Sequence, residues 1–335
     1  MESVRQALRN VRIGDAVVHE NLAVFPLIVE TTIGRGYLIL DEGMSRGTAK
    51  VREVSESGHV PELMFVNEGD LAVLLLDGEE LRGAKQNRVL NLSILAPSGK
   101  TIVIPVSCVE AGRWARSSPE FARSENVLFS KARAKKVHRV SSSMARAAGR
   151  ISDQGEIWDD IALKDRAFCS SSPTAAMADI YDQLSANVGG YVEAFGSVPG
   201  QTGAVFALDG RIAGCELFDH PETLSSLLPK IVRSYALDAM ENRGAKGVLP
   251  PPVEAVRDFL DEIAGSGMES FPSLGLGEDV RISGNRLAAG ALVVDNRVVH
   301  LSAFRLIDDP RGAREPVAPR AAPWSLRSLW RSKVR

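Results

Sequence analysis

LLLDGEELRGAKQNRVLNLSILAPSGKTIVIPVSCVEAGRW, from Leu74 to Trp114, sets short apolar runs of strand type between dense groups of charged and amide side chains. The runs Leu71 to Leu76, Arg88 to Leu95 and Thr101 to Val106 are rich in branched residues. Turn signals at Asp77-Gly78 and Pro97-Ser98-Gly99 bound them, the pattern of strands rather than of a helix. Similar runs from Leu22 to Val29, Gly36 to Leu40, Thr48 to Ser55 and Met64 to Asn67 extend the pattern toward the N-terminus. Residues 1–115 are therefore expected to form a β-rich lobe, a sandwich or a partly open barrel, after a weakly helical start at Glu2 to Arg9.

Beyond Arg116 the strand signal stops. Ser, Ala, Arg and Lys dominate to Arg150, which predicts solvated helix and loop, and Thr174 to Leu184 carries Met177, Ile180, Tyr181 and Leu184 on one helical face. Gly189 and Gly190 are expected to end that helix, so 116–190 reads as a helical connecting region. Residues 191–307 read as an α+β lobe. It holds two hairpin-like units, GAVFALDGRIAGCELF from Gly203 and ALVVDNRVVHLSAF from Ala291, with amphipathic helices over Pro221–Met240 and Val253–Ile263 between them. The last segment, 308–335, is Pro-, Ala- and Arg-rich and reads as a disordered basic tail. Its ending, PWSLRSLWRSKVR, also fits an interfacial helix or a partner-binding patch, with plain disorder favoured. The fold class expected is α+β.

A chain of 335 residues exceeds the size at which a single core usually stops growing, which agrees with more than one lobe. Its net charge of −2 gives no global attraction to nucleic acid or anionic membrane, so no specific nucleic-acid partner is expected. Three separated cysteines, Cys108, Cys169 and Cys215, form neither a CxxC pair nor an even disulfide framework, and MESVRQALRN lacks the apolar core of a signal peptide. No apolar run approaches the roughly 20 residues of a membrane span. A cytoplasmic protein is the expectation.

Candidate chemistry concentrates in the opening stretch. Lys85, Gln86, Asn87 and Arg88 place two cations and two amides in four residues, with Asn91, Arg113 and Trp114 nearby in sequence. Such donors clamp a phosphate or carboxylate, and an indole packs on a planar group. Glu79, Glu80 and Glu110 are the candidate bases; as strand neighbours, Glu79 and Glu80 should point to opposite faces. The competing expectation is an internal network in which Arg88 pairs with one of these carboxylates. Cys108, with no histidine near in sequence, reads as a packed thiol rather than a nucleophile. Asp219-His220 and His300 supply acid–base vocabulary, but no zinc spacing exists and no metal or cofactor is assigned. GSVPGQTG lacks the lysine and following helix of a P-loop.

Taken together, DGEELRGAKQNRVLN, IPVSCVEAGRW, GQTGAVFALDGRIAGCELFD, RSYALDAM and VVHLSAF resemble successive motifs of the bacterial ARG and rhodanese-phosphatase-superfamily-associated protein domain family. The resemblance runs roughly from Asn10 to Leu306. The family takes its name from gene neighbours, ADP-ribosylglycohydrolases and phosphatase-like proteins, so it implies a ligand related to ADP-ribose, NAD or another phosphorylated metabolite. It carries over no catalytic residue. The combined expectation is a protein that binds, or binds and processes, such a metabolite: Lys85, Arg88 and Arg113 hold the anion, Gln86, Asn87 and Asn91 orient it, and Trp114 packs on it. Glu79, Glu80, Glu110 or His300 would act as the acid–base group. The alternative is a non-enzymatic structural or interaction module. Oligomeric state is not legible.

Overall fold

The computed structural model describes residues 1–29, 34–55, 58, 60–115, 118–241 and 248–306. The expected tail, 308–335, lies outside these. Among the described residues the largest sheet has nine strands. Its order is Arg12–Ile13, Leu22–Ile28, Gln201–Leu208, Arg211–Phe218, Arg297–Arg305, Leu287–Val294, Glu278–Gly284 and Gly267–Pro272, with Val17–His19 also on Leu22–Ile28. Every pairing in it is antiparallel.

Both predicted hairpin units are present, Gln201–Leu208 with Arg211–Phe218 and Leu287–Val294 with Arg297–Arg305. Asp209, Gly210, Asp295 and Asn296 all have positive φ, the turn geometry that keeps strand twist and favours Asp, Asn and Gly. The two hairpins lie side by side, with Cys215 opposite Ala303. Both faces of this sheet are covered, so its central strands are buried along most of their length rather than alternating between buried and exposed. Phe206 stacks on Tyr235 of the helix Pro221–Glu241, centroids 4.0 Å apart. Val205, Ala207 and Cys215 point the other way, into a cluster with Val4 and Leu8 of Glu2–Asn10 and with Val256, Phe259 and Ile263 of Val253–Gly265.

A six-stranded sheet runs Phe121–Val127, Glu79–Gly83, Arg88–Leu90, Thr101–Cys108, Glu62–Asn67, Ala49–Glu53, and a three-stranded sheet runs Ile94–Ala96, Ala72–Leu75, Tyr37–Ile39. Their apolar faces share one core built on Phe65, Val73, Leu75, Leu81, Leu90 and Ile104. The architecture is α+β.

Several local expectations change. The three earliest strands, Arg12–Ile13, Val17–His19 and Leu22–Ile28, join the sheet formed mainly by residues 201–305. Asp77-Gly78 does not close a hairpin, because Ala72–Leu75 and Glu79–Gly83 belong to different sheets. Gly78 has φ +78°, and a Cβ there would lie 2.8 Å from Arg133 Nε, so the glycine admits both the turn and a packed guanidinium. The single strand expected over Arg88 to Leu95 splits into Arg88–Leu90 and Ile94–Ala96. Asn91 and Ser93, in the break, bond to Ser107 and His300 instead of a ladder. Within 116–190, Phe121–Val127 is a strand, and Ser130–Ala145 is a helix that buries Arg133 and Lys136 rather than a solvated one. Gly189 and Gly190 lie inside Ser185–Ala194 and end nothing.

The end of Pro221–Glu241 is tied to its neighbours by ion pairs. Lys164 Nζ lies 2.6 Å from Asp238 Oδ1 and 2.8 Å from Glu241 Oε2, and Lys131 Nζ lies 2.9 Å from the same Glu241 oxygen. Burial pushes the Glu241 carboxyl upward, but Lys164 and Lys131 outweigh it and bring the pKa down to about 2. A depressed carboxyl stabilises the fold above its unfolded value of about 4.3 and loses that contribution as pH falls through the folded value. Glu241→Gln should therefore cost about 1–2 kcal/mol at neutral pH after solvent screening, and almost nothing near pH 2. Urea unfolding across that pH range checks this; equal losses at both ends would contradict it.

Candidate functional site

Successive side chains of a strand point to opposite faces, and Glu79 and Glu80 follow that rule. Glu79 Oε1 accepts from Lys230 Nζ at 2.8 Å, and the same ammonium lies 2.7 Å from Asp41 Oδ2. Burial first, then Asp41, raises the Glu79 carboxyl against the pull of Lys230. Glu80 turns the other way and accepts from Ser124 Oγ at 2.6 Å and Asn126 Nδ2 at 3.0 Å; burial raises it too. The two carboxylates serve separate networks and cannot work as a pair.

Lys85, Arg88, Glu110, Arg113 and Trp114 do meet. Thr101–Cys108 pairs with Arg88–Leu90, setting Cys108 opposite Arg88, and the chain then brings Glu110 back beside Asn87. Glu110 Oε2 accepts from Asn87 N at 3.0 Å and Arg113 Nη2 at 2.7 Å, while Oε1 accepts from Arg113 Nε and Thr174 Oγ1, each at 2.8 Å. Burial pulls the Glu110 carboxyl up, but these donors hold it below its ordinary value. A carboxylate held this way is a poor base.

Gln86 Nε2 donates to Glu110 O, and its Oε1 accepts from Arg88 Nη1 at 3.0 Å and Cys108 Sγ at 3.1 Å. Burial pushes the Cys108 thiol up to about 11, so it stays protonated at neutral pH. Arg88 itself is fully buried, yet its Nε and Nη2 have no partner. Its guanidinium lies 5.6 Å from the Trp114 ring centroid, and the Lys85 ammonium lies 5.4 Å from it. Asn91 stands apart: its Oδ1 accepts from Ser107, its Nδ2 donates to Arg150 O, and its backbone O receives Lys136 Nζ.

His300 belongs to another centre, most of which the sequence did not announce. Asp77 accepts a hydrogen bond from Lys136 Nζ and lies 3.4 Å from Arg133 Nη2. Arg133 Nη1 donates to Glu216 Oε1 at 2.6 Å, and Glu216 Oε2 lies 2.8 Å from His300 Nε2. His300 Nδ1 meets Ser93 Oγ at 2.8 Å, and Ser93 Oγ accepts from Asp77 N at 2.8 Å, which closes a ring of side chains. Burial would raise the Asp77 carboxyl, but Lys136 and Arg133 hold it below its ordinary value. Burial pushes Lys136 down to about 8, which leaves it protonated at neutral pH. Asp77, Ser93 and His300 line a small polar cavity together with Asp279, Arg281 and Ser302.

A signal for this centre was present. Arg133, Lys136, Val137, Val140 and Met144 follow the spacing of one buried helical face, and they are buried together. The cations on it look like solvent-facing charge until an opposing carboxylate is known. Glu216 was equally visible as the one carboxylate in the mainly apolar strand Arg211–Phe218. Asp219, the other acid–base candidate, accepts from Tyr37 OH at 2.5 Å and Arg297 Nη2 at 2.7 Å. Among the described residues, no group of three or more His, Cys, Asp or Glu is arranged to hold a metal ion. No described helix is long and apolar enough to cross a membrane.

Compared with known families, residues 10–304 match the family model described as ARG and Rhodanese-Phosphatase-superfamily-associated Protein domain. No curated protein and no solved structure matches the chain.

Proposed function

The chain belongs to the ARG and Rhodanese-Phosphatase-superfamily-associated Protein domain family, and we propose that it binds a phosphorylated metabolite of the ADP-ribose or NAD type at the corner formed by Arg88, Lys85 and Trp114. One observation carries this reading. Arg88 is completely buried with two guanidinium N–H groups unpartnered, a state that costs about 1–3 kcal/mol per neutral donor and more for a charged one. A phosphate or carboxylate oxygen would satisfy both donors at once. The Lys85 ammonium beside the same indole adds charge, and Trp114, partly exposed, offers a surface for a planar group.

A second reading is favoured for the rest of the stretch. Gln86, Asn87, Glu110 and Asn91 are engaged with their own neighbours, as expected of a structural module. The experiment is thermal unfolding against a panel of nucleotides and sugar phosphates. ADP-ribose or NAD at about 100-fold its dissociation constant should stabilise the protein by about 2.7 kcal/mol. Lys85→Ala, at a partly exposed position, should keep the fold and weaken that ligand about tenfold, or about 1.4 kcal/mol. No stabilisation by any phosphorylated compound at millimolar concentration would leave only the structural module.

A further inference from the structure

Arg88 keeps one whole edge of its guanidinium vacant. Nη1 donates to Gln86 Oε1, whereas Nε and Nη2, which lie on the same side of the planar group, have no partner. Two N–H groups in that arrangement match two oxygens of a single carboxylate or phosphate. Arg113 shows the match within this protein, with Nε on Glu110 Oε1 at 2.8 Å and Nη2 on Oε2 at 2.7 Å.

Neighbouring charges set how much negative charge the vacant edge can take. Glu53 Oε1 accepts from Lys85 N at 3.3 Å, and a Cβ on Gly58 would lie 3.4 Å from both Glu53 Oε2 and Lys85 Nζ. Glu53 thus belongs to the corner, and its buried Oε2 has no hydrogen-bond partner. Arg88, Glu53 and Glu110 all act on the Cys108 thiol, which at about 11 is itself uncharged. Among the described residues, Lys85, Arg88 and Arg113 bring three positive charges to this corner, and Glu53 and Glu110 bring two negative ones. One positive charge is left over, and the Arg88 guanidinium has no solvent exposure. In so dry a site one negative charge is neutralised, whereas a second is buried unpaired and faces two carboxylates.

Entry to the edge is also defined. Of the side chains beside Arg88, Gln86 and Cys108 are buried, and Trp114 reaches solvent. The anion therefore enters past the indole, which lies outside the four buried apolar clusters and is not held by core packing.

We propose that this corner takes a phosphate bearing a single negative charge, as in the diphosphate bridge of a dinucleotide or nucleoside diphosphate sugar, and rejects terminal phosphate monoesters. The selectivity rests on the ligand binding proposed for the Arg88 corner. In ADP-ribose and NAD each bridge phosphate carries one charge, whereas a terminal monoester carries about 1.5–2 at pH 7, with a second pKa near 6. One bridge phosphate lies along the Arg88 edge. The other lies toward Lys85, which is partly exposed.

The test is calorimetric titration of the full chain with NAD, and competition of AMP against it, at pH 6, 7 and 8. AMP should bind about 50-fold more weakly relative to NAD at pH 8 than at pH 6, following the share of its singly charged form. Using NAD as the reference cancels any titration of the protein. Glu53→Gln, at a partly exposed position, removes one negative charge from the corner. It should tighten AMP at pH 8 about tenfold and NAD about threefold, because a doubly charged phosphate gains twice the energy. AMP binding at pH 8 as tightly as NAD, or an AMP-to-NAD ratio independent of pH, would overturn the charge selection and leave the corner as the binding site. AMP that fails to displace NAD even at pH 6 would overturn it too. Absence of NAD binding at every pH would remove the Arg88 corner itself, and this selectivity with it.

Discussion

Arg133→Ala is expected to lower folding stability by about 3–5 kcal/mol, the usual result of removing one partner from a buried ion pair. Its guanidinium has no solvent exposure, bonds to Glu216 at 2.6 Å, lies 3.4 Å from Asp77 and sits 4.9 Å from the Phe304 ring centroid. Removing it leaves Glu216, itself without exposure, facing only His300. Asp77 keeps Lys136, so most of the loss should arise at Glu216. That division is measurable. Arg133→Met combined with Glu216→Gln should be less destabilised than the sum of the two single changes, because the double variant buries no unpaired charge. Urea unfolding monitored by far-UV circular dichroism is the measurement. A loss under about 1 kcal/mol, or strict additivity, would show that the pair is not what organises this centre.

Lys230→Met should cost a similar amount, about 3–5 kcal/mol near pH 8, with the loss shrinking toward pH 5. Lys230 is buried in the middle of Pro221–Glu241 and separates Glu79 from Asp41, at 2.8 and 2.7 Å. Without it the two carboxylates face each other, and burial and Asp41, which already raise Glu79, act unopposed. The folded-state value of Glu79 then lies further above its unfolded value. A raised carboxyl contributes stability that is fully present below the unfolded value and is lost as pH rises through the folded one. The variant is therefore predicted to be least impaired in mild acid. A pH-independent loss would mean that Glu79 does not take up a proton when its partner is removed.

These two centres also show where sequence reading stops. The opposite facing of Glu79 and Glu80 was legible from strand periodicity alone. Lys85, Arg88, Glu110, Arg113 and Trp114 were legible as a group because one antiparallel pairing, Thr101–Cys108 on Arg88–Leu90, brings neighbours in sequence together. His300 was picked out as an acid–base candidate, but not its partners, which lie 84 and 207 positions away. Arg133 and Lys136 were misjudged because long charged side chains on a helix are usually solvated. Here their buried face meets Asp77 and Glu216, 59 and 83 positions distant.

From residues alone, then, the chain determined its strand runs, its two Asp-initiated hairpins, its long helices and the α+β class, since these follow from local periodicity and from the backbone conformations that turn residues allow. Tertiary structure decided which sheet received Leu22–Ile28, why Asp77-Gly78 is a junction rather than a hairpin, and which charges became partners. The physical reason is that periodicity reports which face of an element is buried, whereas a buried charge is defined by the group opposite it. That group can come from anywhere in the chain. In Leu74 to Trp114 the outcome is four separate networks, around Lys230, Asn126, Arg88 and Arg133, drawn from what reads in sequence as one polar stretch.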